Sequence, residues 1–283
     1  MSLAAAVHIQ SLTASNFSTV YNLFSLVIAS MLFTAIYLLA SQRRVAPRYR
    51  NAIVISAVVC GIAAYHYFRI FNNFEATYPA GATVDSAHQI SNVVFNEAYR
   101  YVDWLLTVPL LLIETVAVMS LSRGESRSLL FKLVPAAAVM IGLGYPGEEA
   151  SSTGGRLLWG GLSTLAFVFI VYVMYTELAR SVVNQPAEVQ PLIKRLRLAL
   201  VVLWCAYPIA FLFPVFGGSF FGGEGGFVLR QAGYSIADIL AKAAFGLVIY
   251  QIARIRSGLE DPAFELGHGD APVSAPRSAT RAA

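Results

Sequence analysis

Apolar residues in this chain do not alternate with polar ones; they come in long unbroken runs. The runs cover about 17–41, 51–72, 95–121, 129–146, 156–179, 196–216 and 228–253. A helix needs about 20 mostly apolar residues to cross hydrocarbon, and only the fourth run is short of that. A membrane β-barrel would need period-two alternation, which these runs lack. The pattern predicts an all-α fold, a bundle of seven transmembrane helices.

Composition narrows the class. Of 283 residues, 57% are hydrophobic and 13% charged, and mean hydropathy is +0.62. Soluble domains carry about 25% charged residues. The chain is an integral membrane protein with little room for a soluble domain. We divide it into an outer N-terminal segment (1–16), a membrane domain (17–256) and a disordered inner tail (257–283), rich in Pro, Gly, Ala and Ser. The loop at 74–93 is long enough for a small hairpin. The start of the chain has no basic n-region, so no cleaved signal peptide is read. Cys60 and Cys205 lie in apolar runs and read as buried hydrophobes. No metal site is expected.

A pI near 9.1 would suit nucleic acid, but the positions of the basic residues exclude that reading. Arg43, Arg44, Arg48 and Arg50 follow the first run, and Arg123, Arg127 and Lys132 follow the third. Arg180, Lys194, Arg195 and Arg197 follow the fifth, and Arg254 and Arg256 the last. These loops share one side, which the positive-inside rule makes cytoplasmic. The N-terminus is then outside and the C-terminus inside, in the plasma (inner) membrane. The outer side has only Arg69, Arg156 and Arg230 near its helix ends.

The third run, RYVDWLLTVPLLLIE, contains Arg100, Asp103 and Glu114. An ionisable group in a membrane is costly and marks an ion path or a counter-ion. Asp103 and Glu114 are eleven residues apart, about 16 Å of rise, and point within about 20° of each other. Thr107 neighbours Asp103 one turn on, and Arg100 lies one turn outward. One face thus carries Arg, Asp, Thr and Glu from outside to inside. In the last run Asp238 and Lys242 share a face, either as a packing salt bridge or as a counter-ion beside a Schiff-base lysine. In the sixth, Trp204, Tyr207 and Phe211 line one face around Pro208. Such a stripe is more often core, but beside a buried lysine it suits a flat conjugated ligand.

RYVDWLLTVPLL, WCAYP and DILAK, in that order and in the third, sixth and seventh helices, resemble signatures of the microbial rhodopsins over about 17–256. The resemblance implies all-trans retinal bound to Lys242 as a protonated Schiff base. It implies Asp103 and Asp238 as counter-ions, with Arg100 balancing the second carboxylate. It also implies Asp103 as proton acceptor and Glu114 as proton donor. The triplet Asp103, Thr107, Glu114 is similar to that of outward proton pumps of the proteorhodopsin and xanthorhodopsin groups. His66 matches a histidine that hydrogen-bonds and tunes the acceptor there. Trp104, Met140, Trp204, Tyr207, Pro208 and Phe211 match retinal-pocket positions, and Leu111 one that accompanies green absorption. Arg230 stands near a release glutamate of the haloarchaeal pumps, so that release pair is expected to be absent. Glu148, Glu149 and Glu224 read as solvated outer residues.

Gly160, in WGGLST, matches a glycine of xanthorhodopsin-like pumps, which opens a lateral window for a carotenoid antenna; the competing reading is close helix packing. The resemblance further implies a homo-oligomer, a trimer or pentamer, in the lipid bilayer. The expectation is a light-driven ion transporter and not an enzyme. The alternative is a sensory photoreceptor signalling through a partner, against which Glu114 argues, since sensors commonly lack a donor carboxylate.

Overall fold

The computed structural model describes residues 9–81, 85–119 and 121–264. Their main elements are α1 (Ala14–Ser41), α2 (Pro47–Thr77), α3 (Ala98–Ala117), α4 (Arg123–Glu148), α5 (Thr153–Val182), α6 (Gln190–Phe216) and α7 (Gly223–Glu260). Consecutive helices pack side by side from α1 to α6, and α7 closes the ring against α6, α1 and α2.

The bundle is apolar outside and holds its charges inside. Phe33, Phe131, Leu165 and Tyr172 are exposed, while Arg100, Asp103, Glu114, Asp238 and Lys242 are buried. Such an arrangement suits hydrocarbon as the surrounding solvent. Six of the seven helices are long and apolar enough to cross a membrane. α3 is the seventh; Arg100, Asp103 and Glu114 within 20 residues lower its hydropathy. α3 is shorter than its expected run of 95–121, whereas the other helices extend a few residues past their apolar stretches at one or both ends, where backbone hydrogen bonding continues into the interfacial layer.

Local chemistry sets several boundaries. Thr13 caps α1, its hydroxyl accepting from Asn16 N–H. Ser122 and Glu125 cap α4 reciprocally, in a capping box. Between α6 and α7, a short helix (Gly218–Phe221) is flanked by Gly217 and Gly223, whose φ of 58° and 60° disfavour a side chain. α7 is not uniform: Ile239–Ala244 is a π segment, and Lys242 lies in it.

Two expectations are revised. The outer loop forms no hairpin on itself among the described residues. Its strand β2 (His88–Gln89) pairs antiparallel with β1 (Ser11–Leu12), pinning the N-terminal segment over the bundle. At the other end α7 stays helical to Glu260, because Ser257 is buried there and donates to Ala253 O while accepting from Ala46 N–H. The rest of the expected tail from 265 lies outside the described residues, as do 1–8 of the N-terminal segment.

The core has an inner aliphatic part, including Leu38, Leu112, Leu133 and Ile249. An outer part is aromatic, with Phe24, Tyr67, Phe74 and Phe227. Between them Tyr101, Trp104, Ile141, Ala210 and Tyr234 surround the centre.

Candidate functional site

Lys242 is the hub. Its Nζ donates to Asp103 Oδ2 at 2.6 Å and to Asp238 Oδ1 at 2.7 Å, with all three side chains buried. Asp238 and Lys242 meet because they are four apart on α7; α3 supplies Asp103 from across the bundle.

The two carboxylates differ in their surroundings. Asp238 also accepts from Tyr67 OH at 2.7 Å, Tyr207 OH at 2.8 Å and Trp104 Nε1 at 3.4 Å. Asp103 has only Lys242 on Oδ2, and its Oδ1 is buried with no partner among the described residues. A carboxylate with four donors is held as an anion, whereas one with a single donor gives way to a proton more readily. Thr107 shares the Asp103 face as expected, but its hydroxyl donates to the Asp103 backbone carbonyl at 2.8 Å, not to the carboxylate.

Arg100 reaches this centre indirectly. Its Nη1 donates to Tyr67 OH at 2.8 Å, and Tyr67 passes its own hydrogen to Asp238. Its Nη2 donates to Gln231 at 2.7 Å and its Nε to Glu97 at 3.3 Å. His66 is buried, yet no hydrogen bond joins it to Asp103 among the described residues; its Nδ1 is unpartnered there.

Inward along α3, Glu114 is fully buried, and its Oε2 lies 2.5 Å from Ser56 Oγ on α2. Its Oε1 has no partner among the described residues.

An apolar cavity opens from Lys242. Trp104, Leu111, Met140, Gly160, Trp204, Tyr207, Pro208 and Phe211, all singled out in the sequence, line it together with Tyr101, Tyr234, Ser163 and Thr164. The hydroxyls of Ser163 and Thr164 are spent on the carbonyls of Met140 and Gly160, at 2.7 Å each. Gly160 has a packing reason of its own, since a Cβ there would come within 2.4 Å of the Phe211 ring.

Sequence reasoning missed Ser56, Tyr67, Glu97 and Gln231. Ser56 and Tyr67 carried a usable signal: polar groups eleven residues apart on an apolar helix, the spacing of Asp103 and Glu114. Glu97 precedes α3 and resembles any loop carboxylate. Glu148 corrects an expectation. It is buried, not solvated, because Arg230 donates to its Oε1 at 2.7 Å and Arg156 to its backbone carbonyl at 2.8 Å. Glu149 is exposed. Glu224 is half-buried and accepts from the Thr13 hydroxyl at 2.8 Å.

A family model described as bacteriorhodopsin-like protein matches residues 18–255. The chain is 30% identical to a green-light absorbing proteorhodopsin of Gamma-proteobacterium EBAC31A08 over 233 residues, 81% of this chain and 84% of the relative. Among solved structures it is similar to xanthorhodopsin, described as a light-driven ion pump with dual chromophore. The TM-score is 0.82 and the identity 43%, over 89% of this chain and 98% of that one. A thermophilic rhodopsin gives a TM-score of 0.83 at 38% identity, over 89% and 99%.

Proposed function

The chain belongs to the bacteriorhodopsin-like family, and from that premise we propose that it is a light-driven pump carrying protons outward, with retinal held on Lys242. The observation that carries the reading is the unequal pair of carboxylates on Lys242 Nζ: among the described residues Asp238 has four side-chain donors and Asp103 has one.

The residues fit retinal. The cavity presents aromatic and aliphatic walls, the Ser163 and Thr164 hydroxyls in it are committed to backbone, and a single amine stands at one end. That is the lining a flat hydrocarbon with one reactive end requires. Bound there, retinal supplies light absorption and an isomerisation that re-aims the proton at Nζ.

The chain moves the proton. Asp238 stays an anion, held by Tyr67, Tyr207 and Trp104; Asp103 is the second anion on Nζ, and Nζ and Arg100 together balance the pair. Asp103 accepts the Nζ proton. Glu114 then refills Nζ from the inner side. Its proton is in place at rest: Ser56 has one hydrogen but two oxygens in reach, Glu114 Oε2 at 2.5 Å and Ala52 O at 3.2 Å. Both contacts are satisfied together only when the hydrogen between Ser56 and Glu114 comes from the acid. His66, buried with an unpartnered Nδ1 among the described residues, is assigned the tuning of Asp103 on the family resemblance alone. Arg100 steadies Asp238 through Tyr67.

The proposal extends to a carotenoid antenna at Gly160, supported by the likeness to xanthorhodopsin and by the place of Gly160 in the cavity wall. Because any Cβ at Gly160 meets Phe211, Gly160→Ala is the steric control for Gly160→Trp. A carotenoid band in the excitation spectrum for pumping, kept in Gly160→Ala and lost in Gly160→Trp, supports the antenna; loss in both assigns Gly160 to packing.

The main test is illumination of cells expressing the protein. The medium should acidify, and a protonophore should abolish the change. Lys242→Ala should lose visible absorption; a coloured variant would sink the retinal assignment.

A further inference from the structure

The outer ends of α3, α4, α5 and α7 hold a buried ionic cluster that the transfer steps above leave without a task. Glu97 and Glu148 are only 8% and 4% exposed, and Arg230 bridges them. Its Nη1 donates to Glu148 Oε1 at 2.7 Å and its Nη2 to Glu97 Oε1 at 3.2 Å. Gln231 Nε2 donates to the same oxygen of Glu97 at 2.8 Å. Arg100 holds the other oxygen, with Nε at 3.3 Å from Oε2.

Glu97 therefore stands at a junction. Inward, hydrogen bonds run without a break from Glu97 through Arg100 and Tyr67 to Asp238 and Lys242. Outward, Glu97 lines a cavity of about 340 Å³ with Glu148, Glu149, Tyr145, Arg156 and Arg230, room and polarity enough for water. A purely structural role explains this poorly. Buried ion pairs seldom add net stability over apolar packing, and three arginines beside two carboxylates demand much desolvation.

Taking the pump reading as its basis, we infer that Glu97 carries the proton on its way out. The O–H bond at Asp103 breaks, leaving a carboxylate; water carries the proton past Arg100, and an O–H bond forms at Glu97. That bond breaks in turn, the proton passes to the outer cavity, and Glu97 is again an anion. Arg100 keeps its own protons throughout; paired with Arg230 and Gln231 it holds Glu97 ionised at rest and ready to accept. Glu148 balances Arg230 and fixes its position.

The test uses the full chain with retinal in lipid vesicles. Laser flashes are followed by visible absorption, for the state of Asp103, and by a pH dye in the outer medium. Glu97→Gln keeps an oxygen for Arg230 and Gln231, loses the one that faces Arg100, and cannot carry a proton. It should delay release by about 10²-fold, the lower end of what a positioned proton carrier contributes, with the absorption maximum unchanged. Glu97→Asp should restore most of the rate. Release in Glu97→Gln as fast as in the wild type overturns the inference and leaves the pump intact. No light-driven pH change in the wild type overturns the pump reading itself. Should Glu97→Gln fail to fold, infrared difference spectra of the wild type decide. A carboxylic C=O band that appears as Asp103 loses its proton, and shifts when glutamate is ¹³C-labelled, supports the role of Glu97; no such band refutes it.

Discussion

Ser56 shows how much one hydroxyl can decide. It sits 2.5 Å from Glu114 Oε2 and 3.2 Å from the Ala52 carbonyl with a single hydrogen to give. When Glu114 is an acid, Ser56 accepts from it and donates to Ala52. When Glu114 is an anion, the hydroxyl turns and donates to it. Hydrogen bonds to charged groups are worth about 1 kcal/mol more than neutral ones, and the Ala52 carbonyl that the turn releases keeps its backbone partner inside α2, so Ser56 favours the anion by up to that amount. Ser56→Ala should therefore slow proton loss from Glu114 by up to about fivefold. The check is the recovery rate of the absorption lost on flash excitation, and a wild-type rate would leave Ser56 no part in donation. The same logic separates Asp103 from Asp238. From the sequence both were carboxylates on Lys242, and only the placement of Tyr67 and Tyr207 shows which is saturated.

At the scale of the element, sequence spacing predicted faces well and ends poorly. Asp238 and Lys242 do meet, as four residues on one helix should. Yet the π segment Ile239–Ala244 around Lys242 had no sequence signal; such bulges recur at functional sites and answer to packing rather than local propensity. The start of α4 shows the reverse. An S-x-x-E cap was there to be read at Ser122 and Glu125, but the apolar run alone began at 129. The cap carries a pH signature. Hydrogen bonds from the Ser122 side chain, then its backbone N–H, hold Glu125 below its ordinary value of 4.5, outweighing slight desolvation. A carboxylate whose folded value is depressed lends stability above its unfolded value and loses it as pH falls through the folded one. The wild type should thus melt above Glu125→Gln at neutral pH, and the gap should close as pH falls below about 4.5. A gap that persists in acid would mean that Glu125 acts by something other than charge. The effect should be small, since the group is exposed.

For the molecule as a whole, the fold was legible because a membrane imposes long apolar runs, while the outer half of the site was not. Glu97, Glu148, Arg156 and Arg230 come from four separate segments, and only the closed ring brings them together. With Arg100, Arg156 and Arg230 drawn into buried ion pairs, Arg69 is left as the exposed arginine on the outer face among the described residues. The opposite face displays Arg43, Arg44, Arg48 and Arg123. Insertion itself follows the sequence count of basic residues, which is one-sided and sets the N-terminus outside. Within that insertion Asp103 lies outward of Glu114 by about 16 Å along α3, the order that the proposed outward transfer requires. Each proton moved against 100 mV stores about 2.3 kcal/mol. Illuminated cells should acidify their medium, and inverted vesicles made from the same membranes should acidify their lumen and make the medium alkaline. Equal signs in the two preparations would refute a single orientation. Reversed signs would keep the orientation but turn the relay around, making Glu114 the exit and Asp103 the entry.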